Sequence, residues 1–168
     1  MEKRSNTKTF QLKSNFNCVI PRLPLLSEYI TSINIPTTSL SAAEMPTPFH
    51  SLPIPGDTIQ YGNLNINFLL SEGASNWYDL YTWMSTVSNA FKLGGYKAWV
   101  KDHDDLVSNC LLTINNSNNI PVMKIVYNKI WPTSITEFSF ETGNAGSEPI
   151  TMTAVFNYNN YDIEILNK

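Results

Sequence analysis

Asn63-Leu64-Asn65-Ile66-Asn67-Phe68-Leu69-Leu70 is the stretch that decides the fold. Apolar side chains at 64, 66, 68 and 70 alternate with asparagine at 63, 65 and 67, and a period of two is the signature of an extended strand. One face is apolar and belongs against a core; the other is uncharged amide. Ser71-Glu72-Gly73-Ala74 then turns the chain. Ser75 stands where a helix cap is needed, with Asp79 in the first turn. Trp77, Leu80, Tyr81, Met84, Val87 and Phe91 recur at helical spacing, which predicts an amphipathic helix ending before Gly94-Gly95. Strand and helix together predict a core of Leu64, Ile66, Phe68, Trp77, Leu80, Tyr81 and Met84, joined by Trp131 from a later strand connection.

Upstream, Asn15 to Ile20 alternates again, with Phe16, Cys18 and Ile20 on one face, and stops at Pro21. Tyr29 to Ile35 is rich in β-branched residues and stops at Pro36, a second strand. Between Pro36 and Gly56 stand Pro36, Pro46, Pro48, Pro53 and Pro55. Each proline removes a backbone donor and fixes φ, so this segment predicts a long extended loop rather than helix or central strand. Loops of that length in compact domains are commonly functional. Pro46, Pro48, Phe49, Pro53 and Pro55 are its candidate contacts to a neighbouring subunit, against the alternative of a plain surface loop.

Downstream the chain is β again. Residues 108–115 and 121–127, around the turn Asn116-Ser117-Asn118-Asn119, predict one hairpin, and 135–140 with 150–158 predict another. The fold class expected is α+β, a mostly antiparallel sandwich or open barrel with one amphipathic helix. Residues 1–14 are polar and predict a flexible arm; 15–168 form a single domain with the proline-rich loop at about 36–56.

Composition narrows the function. The 168 residues carry 14 acidic and 11 basic side chains, a formal charge of −3, and only 15% charged residues in all. Soluble domains average about 25%. Asparagine fills much of the difference, with 20 copies. No dense basic face for nucleic acid can be built from so few cations. The apolar runs are too short to span a bilayer, and the N-terminus lacks the apolar stretch of a signal peptide. Cys18 and Cys110 each lie in an alternating apolar segment, which reads as two buried free thiols, with a disulfide between them as the alternative. His50 sits in the proline-rich loop and His103 among acids in Lys101-Asp102-His103-Asp104-Asp105. That cluster lacks the ligand order and glycine of a calcium loop, so a solvated turn is expected. No nucleophile elbow, phosphate-cradling loop, zinc-cysteine pair or HExxH helix occurs. The expectation is no enzyme, no cofactor and no metal.

Three segments, in order, resemble the tail tube proteins of contractile-tailed bacteriophages. They are Gly56-Asp57 leading into strand 63–70 and a helix carrying Tyr81-Thr82-Trp83-Met84; Tyr127-Asn128-Lys129-Ile130-Trp131-Pro132-Thr133-Ser134-Ile135; and the closing strand Ile150 to Tyr158. The likeness spans roughly residues 55–160 and extends to the related domain of the baseplate protein that initiates the tube. It implies a virion structural protein whose hexameric rings, each protomer adding strands to one continuous β-barrel, stack as main tube or baseplate initiator. Its implied partners are copies of itself and other tail proteins (sheath, tape measure, baseplate), with DNA passing through unbound during ejection and no membrane. It would be assembled in the host cytoplasm. Asn63, Asn65 and Asn67 are then candidates for the lumen face, with solvent as the alternative. Two other readings stand beside it: a tube of a bacterial contractile injection or secretion system, and a small enzyme or ligand- or carbohydrate-binding β-domain using Trp99, Trp131 or the loop aromatics.

Overall fold

A computed structural model of the chain describes residue 11 and residues 15–101, 106–140 and 148–166; the side chains of 89–101 lie outside that description. Among the described residues, nine strands and two α-helices follow in the order β1 (Phe16–Val19), α1 (Pro24–Glu28), β2 (Ile30–Ile33), β3 (Thr38–Pro46), β4 (Ser51–Tyr61), β5 (Leu64–Leu69), α2 (Ser75–Lys101), β6 (Ser108–Asn115), β7 (Pro121–Ile135), β8 (Thr151–Asn157) and β9 (Asn160–Ile165). Every pairing is antiparallel. The fold is thus α+β and mostly antiparallel, and its described strands leave an open sheet rather than a closed barrel.

β7 organises that sheet. Its first two-thirds pair with β6 on one side and β9 on the other, while Trp131–Ile135 pair with β8. The order is β1-β6-β7-β8-β5-β2, with β9 alongside β7. The change of partner follows a bulge. Register slips between the Ser108–Ile130 and Cys110–Tyr127 pairs, leaving Lys129 at φ 53 with its N–H donated to Asn109 Oδ1 at 3.0 Å. An extra residue in one strand bends it and increases its twist, which redirects β7 from one half of the sheet to the other. The segment Trp131-Pro132-Thr133, expected to join two strands, is therefore interior to one long strand. The second hairpin pairs 131–135 with 154–157, not 135–140 with 150–158.

The predicted proline-rich loop is instead a two-stranded ribbon, β3 with β4, separate from the main sheet and exposed along most of its length. The prolines are accommodated by phase. The ladder bond from Thr47 N–H to the His50 carbonyl, 3.1 Å, fixes which residues point their N–H groups inward. Counting from it, Pro46, Pro53 and Pro55 all occupy the alternate positions, where N–H would point out of the ribbon. Each costs no ladder bond. At the bulge facing Ser41, Gly56 has no room for a side chain, since an added Cβ would lie 2.6 Å from the Ser41 carbonyl oxygen.

α2 runs through Gly94-Gly95 to Lys101 instead of stopping before them. A mid-helix glycine costs only about 1 kcal/mol, and the residues beyond it, Lys97 and Ala98 among them, favour helix. Its start also differs from expectation. A 3-10 turn, Glu72–Ala74, feeds directly into Ser75, and the buried Asn76 does the joining. Asn76 Oδ1 accepts from the N–H groups of Ser71 and Trp77, and its Nδ2 donates to the Leu69 carbonyl at 2.8 Å. A buried amide satisfied on both ends ties helix to strand at little cost.

The core lies between the inner face of the sheet and α2. Leu64, Ile66 and Phe68 are fully buried, with Ile20, Leu112, Ile125, Tyr127, Ile130, Ala154 and Phe156 around them. Burying each large aliphatic or aromatic chain contributes about 1.5–3 kcal/mol. From the helix, Leu80 and Trp83 are buried. Trp77 and Met84 are half-buried, and Tyr81, expected in the core, is 52% exposed. Trp83 takes its place because its indole N–H can donate to the Leu106 carbonyl at 2.7 Å, while Tyr81 stacks outside on Trp77. Trp131 is half-buried too. It pairs with Asn157 and so shares the outer face of the sheet rather than the core face. The expected arm 1–14 (save Gln11), the acidic turn around His103, the side chain of Trp99 and most of the loop 141–149 lie outside the described residues.

Candidate functional site

Opposite the core face, β2, β5, β8 and the end of β7 present a surface without a charge. No Asp, Glu, Lys or Arg occurs in Ile30–Ile33, Leu64–Leu69, Thr151–Asn157 or Trp131–Ile135. The strict alternation on β5 produces this. With Leu64, Ile66 and Phe68 buried, Asn65 must face outward, Asn67 is half-buried on the same side, and Asn63 precedes them in phase. β8 repeats the pattern, burying Met152, Ala154 and Phe156 and turning Thr151, Thr153, Val155 and Asn157 outward.

The polar groups of this face bond to each other. Thr153 Oγ1 donates to Asn67 Oδ1 at 2.6 Å, and Asn67 Nδ2 donates to Ser32 Oγ at 2.8 Å, one chain across three strands. Asn34 Oδ1 accepts from the Asn65 N–H, and Asn34 Nδ2 reaches the Asn63 carbonyl at 3.3 Å. Thr31 Oγ1 donates to the Asn67 carbonyl and Thr133 Oγ1 to the Val155 carbonyl. Side chains held this way form a neutral face of dipoles, with no cation among these strands to anchor a phosphate and little self-repulsion.

The charge of the sheet gathers elsewhere. Asp162 and Glu164 sit on β9, with Asn128 Nδ2 donating to Asp162 Oδ2 and Lys124 3.8 Å from Glu164.

The ribbon is the second feature. Cross-strand partners share a face, so Ala43, Met45, Leu52 and Ile54 line one side and Glu44, Pro46, Ser51, Pro53 and Pro55 the other. Met45, Leu52 and Ile54 are 40–52% exposed, and Phe49 at the tip beside Pro48 is 95% exposed. Exposed apolar faces of this kind are frequent at protein–protein contacts. The base is anchored: Tyr61 meets Tyr161 edge-on at 5.2 Å, and Thr38 Oγ1 hydrogen-bonds the Tyr161 hydroxyl at 2.9 Å.

His50 is exposed near the ribbon tip, and its N–H faces Thr47 Oγ1. Among the described residues no three His, Cys, Asp or Glu side chains come together as a metal site would need. No described helix is long and apolar enough to cross a membrane. Sequence reasoning missed the pairing role of Asn76, the burial of Trp83 and strand β9. The alternation of Tyr161-Asp162-Ile163-Glu164-Ile165 was the available signal for β9.

No family model matches the chain. Over 110 residues, 66% of its length, it is 27% identical to the tail tube terminator protein of Enterobacteria phage T4, and the match spans 60% of that protein. Its fold is that of the anti-feeding prophage tube-terminating cap, with a TM-score of 0.62, 15% identity and 98% and 99% of the two chains covered. The sheath/tube terminator of an extracellular contractile injection system, PVC, in its extended state aligns with a TM-score of 0.64, 13% identity and 94% and 99% coverage. The sheath-tube complex of the same system aligns at 0.65, with 12% identity and 95% of each chain covered. The likeness to the contractile tail tube family that the sequence led us to expect is met both in sequence and in fold.

Proposed function

We propose that this chain is a non-enzymatic structural subunit of a contractile tail, and that six copies close into a ring at the end of the tail tube. The observation that carries this reading is the sequence likeness to the T4 tail tube terminator, which favours the terminal position over the main-tube and baseplate-initiator places. The fold is shared alike with the tube-terminating cap, the sheath/tube terminator and the sheath-tube complex, which supports a tube subunit, while the terminal place rests on the sequence likeness.

The open sheet fits a ring physically. β2 and the end of β7 are edges of the same uncharged half-sheet, and free edges are a liability unless covered. One head-to-tail contact repeated six times covers both and closes. The faces carrying Asn63, Asn65 and Asn67 then line the bore, where DNA slides past without binding. The ribbon, through Met45, Leu52, Ile54 and Phe49, reaches the next copy. Its partners are further copies, the tube and sheath below, and the tape measure within, in a virion tail assembled in the host cytoplasm.

A second reading, the terminating ring of a contractile injection system in which the bore holds a protein cargo, is favoured by the near-complete fold overlap with the anti-feeding prophage cap. Adding the purified protein to growing tubes of its own system tests both. Arrest of elongation with the protein at the tube end supports the terminal role. Incorporation along the whole tube assigns a main-tube subunit instead.

A further inference from the structure

Cys18 on β1 and Cys110 on β6 lie diagonally across neighbouring strands, Cys18 being paired with Leu112. Their sulfurs are 3.5 Å apart, and both are free thiols. They are not equivalent. Cys110 is completely enclosed, whereas Cys18, at 3% exposure, lines a cleft of about 740 Å3 between the unpaired edges of β1 and β2. Phe16, Val19, Ile30 and Thr31 form the rest of that opening. A disulfide needs the sulfurs about 2.05 Å apart. β1 is four residues long and, among the described strands, pairs with β6 only, so the gap to be closed lies within one edge pair.

The geometry points to a latent disulfide site: a small peroxide entering the β1–β2 cleft oxidises Cys18, and Cys110 resolves it. In the first step the Cys18 sulfur attacks one peroxide oxygen and the O–O bond breaks. The departing oxygen leaves as water, taking the thiol proton, and Cys18 becomes a sulfenic acid. In the second step the Cys110 sulfur attacks the Cys18 sulfur and the S–O bond breaks. The hydroxyl leaves as water with the Cys110 proton. Two thiols are oxidised and one peroxide is reduced to two waters. Peroxide meets Cys18 first because Cys110 is fully enclosed; the hydrogen bond with Cys18 and burial raise the Cys110 thiol above its usual range, which makes the second step the slow one. The product joins an edge strand to its neighbour and closes the loop from 18 to 110, which restricts the unfolded chain.

The test treats the full-length folded protein with hydrogen peroxide. The expected product has lost two hydrogens per chain by intact mass and gives a Cys18–Cys110 linked peptide. It melts at a higher temperature, and dithiothreitol reverses all three changes. In Cys110→Ser the reaction stops at a sulfenic acid on Cys18 that dimedone traps. If a variant does not fold, the wild-type peptide map decides alone. Two intact thiols after treatment, sulfinic acid without a linked peptide, or disulfides between chains would each overturn the proposal.

Discussion

Asn67 on β5 and Thr153 on β8 stand directly opposite each other, with the threonine hydroxyl donating to the asparagine side-chain Oδ1 at 2.6 Å. The amide end of the same asparagine is held by Ser32 on β2. One uncharged side chain thus spans the outward face of three strands. Aspartate at 67 has no N–H to offer Ser32 and brings a charge; a neutral, internally bonded face is what the strands preserve.

That neutrality is testable by removing it. Asn65 and Thr151 are exposed on this face. Asn65→Lys with Thr151→Lys should leave the melting temperature within a few degrees, because exposed substitutions change stability by about 0.5 kcal/mol or less. The assembled variant should hold DNA with an affinity that falls steeply with salt, since each phosphate contact releases counterions. Fluorescence anisotropy on labelled DNA reads this. Wild-type protein binding DNA as tightly as the variant would show that neutrality is not what keeps the face non-adhesive.

Trp83 and Tyr81 separate the two faces of α2. Trp83→Phe removes the donor to the Leu106 carbonyl and should cost about 1–3 kcal/mol, the usual penalty for orphaning a buried acceptor. Trp83→Ala should cost about 3–5 kcal/mol. Tyr81→Ala, which loses only an outer stack on Trp77, should cost about 1 kcal/mol or less. Urea unfolding of the three variants checks the order, and a larger loss at Tyr81 than at Trp83 would reverse our placement of the helix.

These two residues also show where the sequence was legible. Strand 63–70 could be placed by periodicity because its inward positions are apolar and three of its outward ones, 63, 65 and 67, are asparagine. On α2 the stripe through Trp77, Leu80, Tyr81 and Met84 looks more apolar than the one through Asn76, Leu80 and Trp83, yet the second is the one buried. What selects the second is a bond to the Leu106 carbonyl and an amide that bridges to Leu69, and both depend on distant chain segments. The ribbon escaped for a different reason. Prolines exclude a strand only where their nitrogens face a partner, and the phase of Pro46, Pro53 and Pro55 is set by a turn at Thr47–His50 that composition does not reveal. The bulge at Lys129 merged two expected strands into one because Asn109, remote in sequence, receives its N–H.

The ribbon should act in assembly and not in folding. Met45→Asp with Leu52→Asp alters only exposed side chains of its apolar face. The melting temperature should stay near wild type while self-association is lost, as read by sedimentation velocity. Assembly unchanged in the double variant would remove the ribbon from the contact.

Alkali should unfold the protein from the core outward. Burial raises the Tyr127 hydroxyl above its ordinary 10.0, and burial raises Tyr158 as well. Cys110 is raised above 9.0 by its bond to Cys18 and by burial. In each case the folded state favours the neutral form, so the unfolded chain releases protons more readily. Stability is fully present below about pH 9, declines first as the Cys110 thiol of the unfolded chain ionises, and falls faster above 10 as Tyr127 and Tyr158 do. Thermal melts from pH 7 to 11 should show this decline, with tyrosinate absorbance appearing together with unfolding. A melting temperature flat to pH 11 would contradict the burial of these groups.

The ring itself is the claim on which the functional account turns. Two-dimensional class averages of the purified protein by electron microscopy, at concentrations high enough to assemble, test it most directly. The account predicts six-fold rings whose bore is lined by the face of Asn63, Asn65 and Asn67. A strict monomer under every condition, or a closed dimer with that face buried, would contradict it.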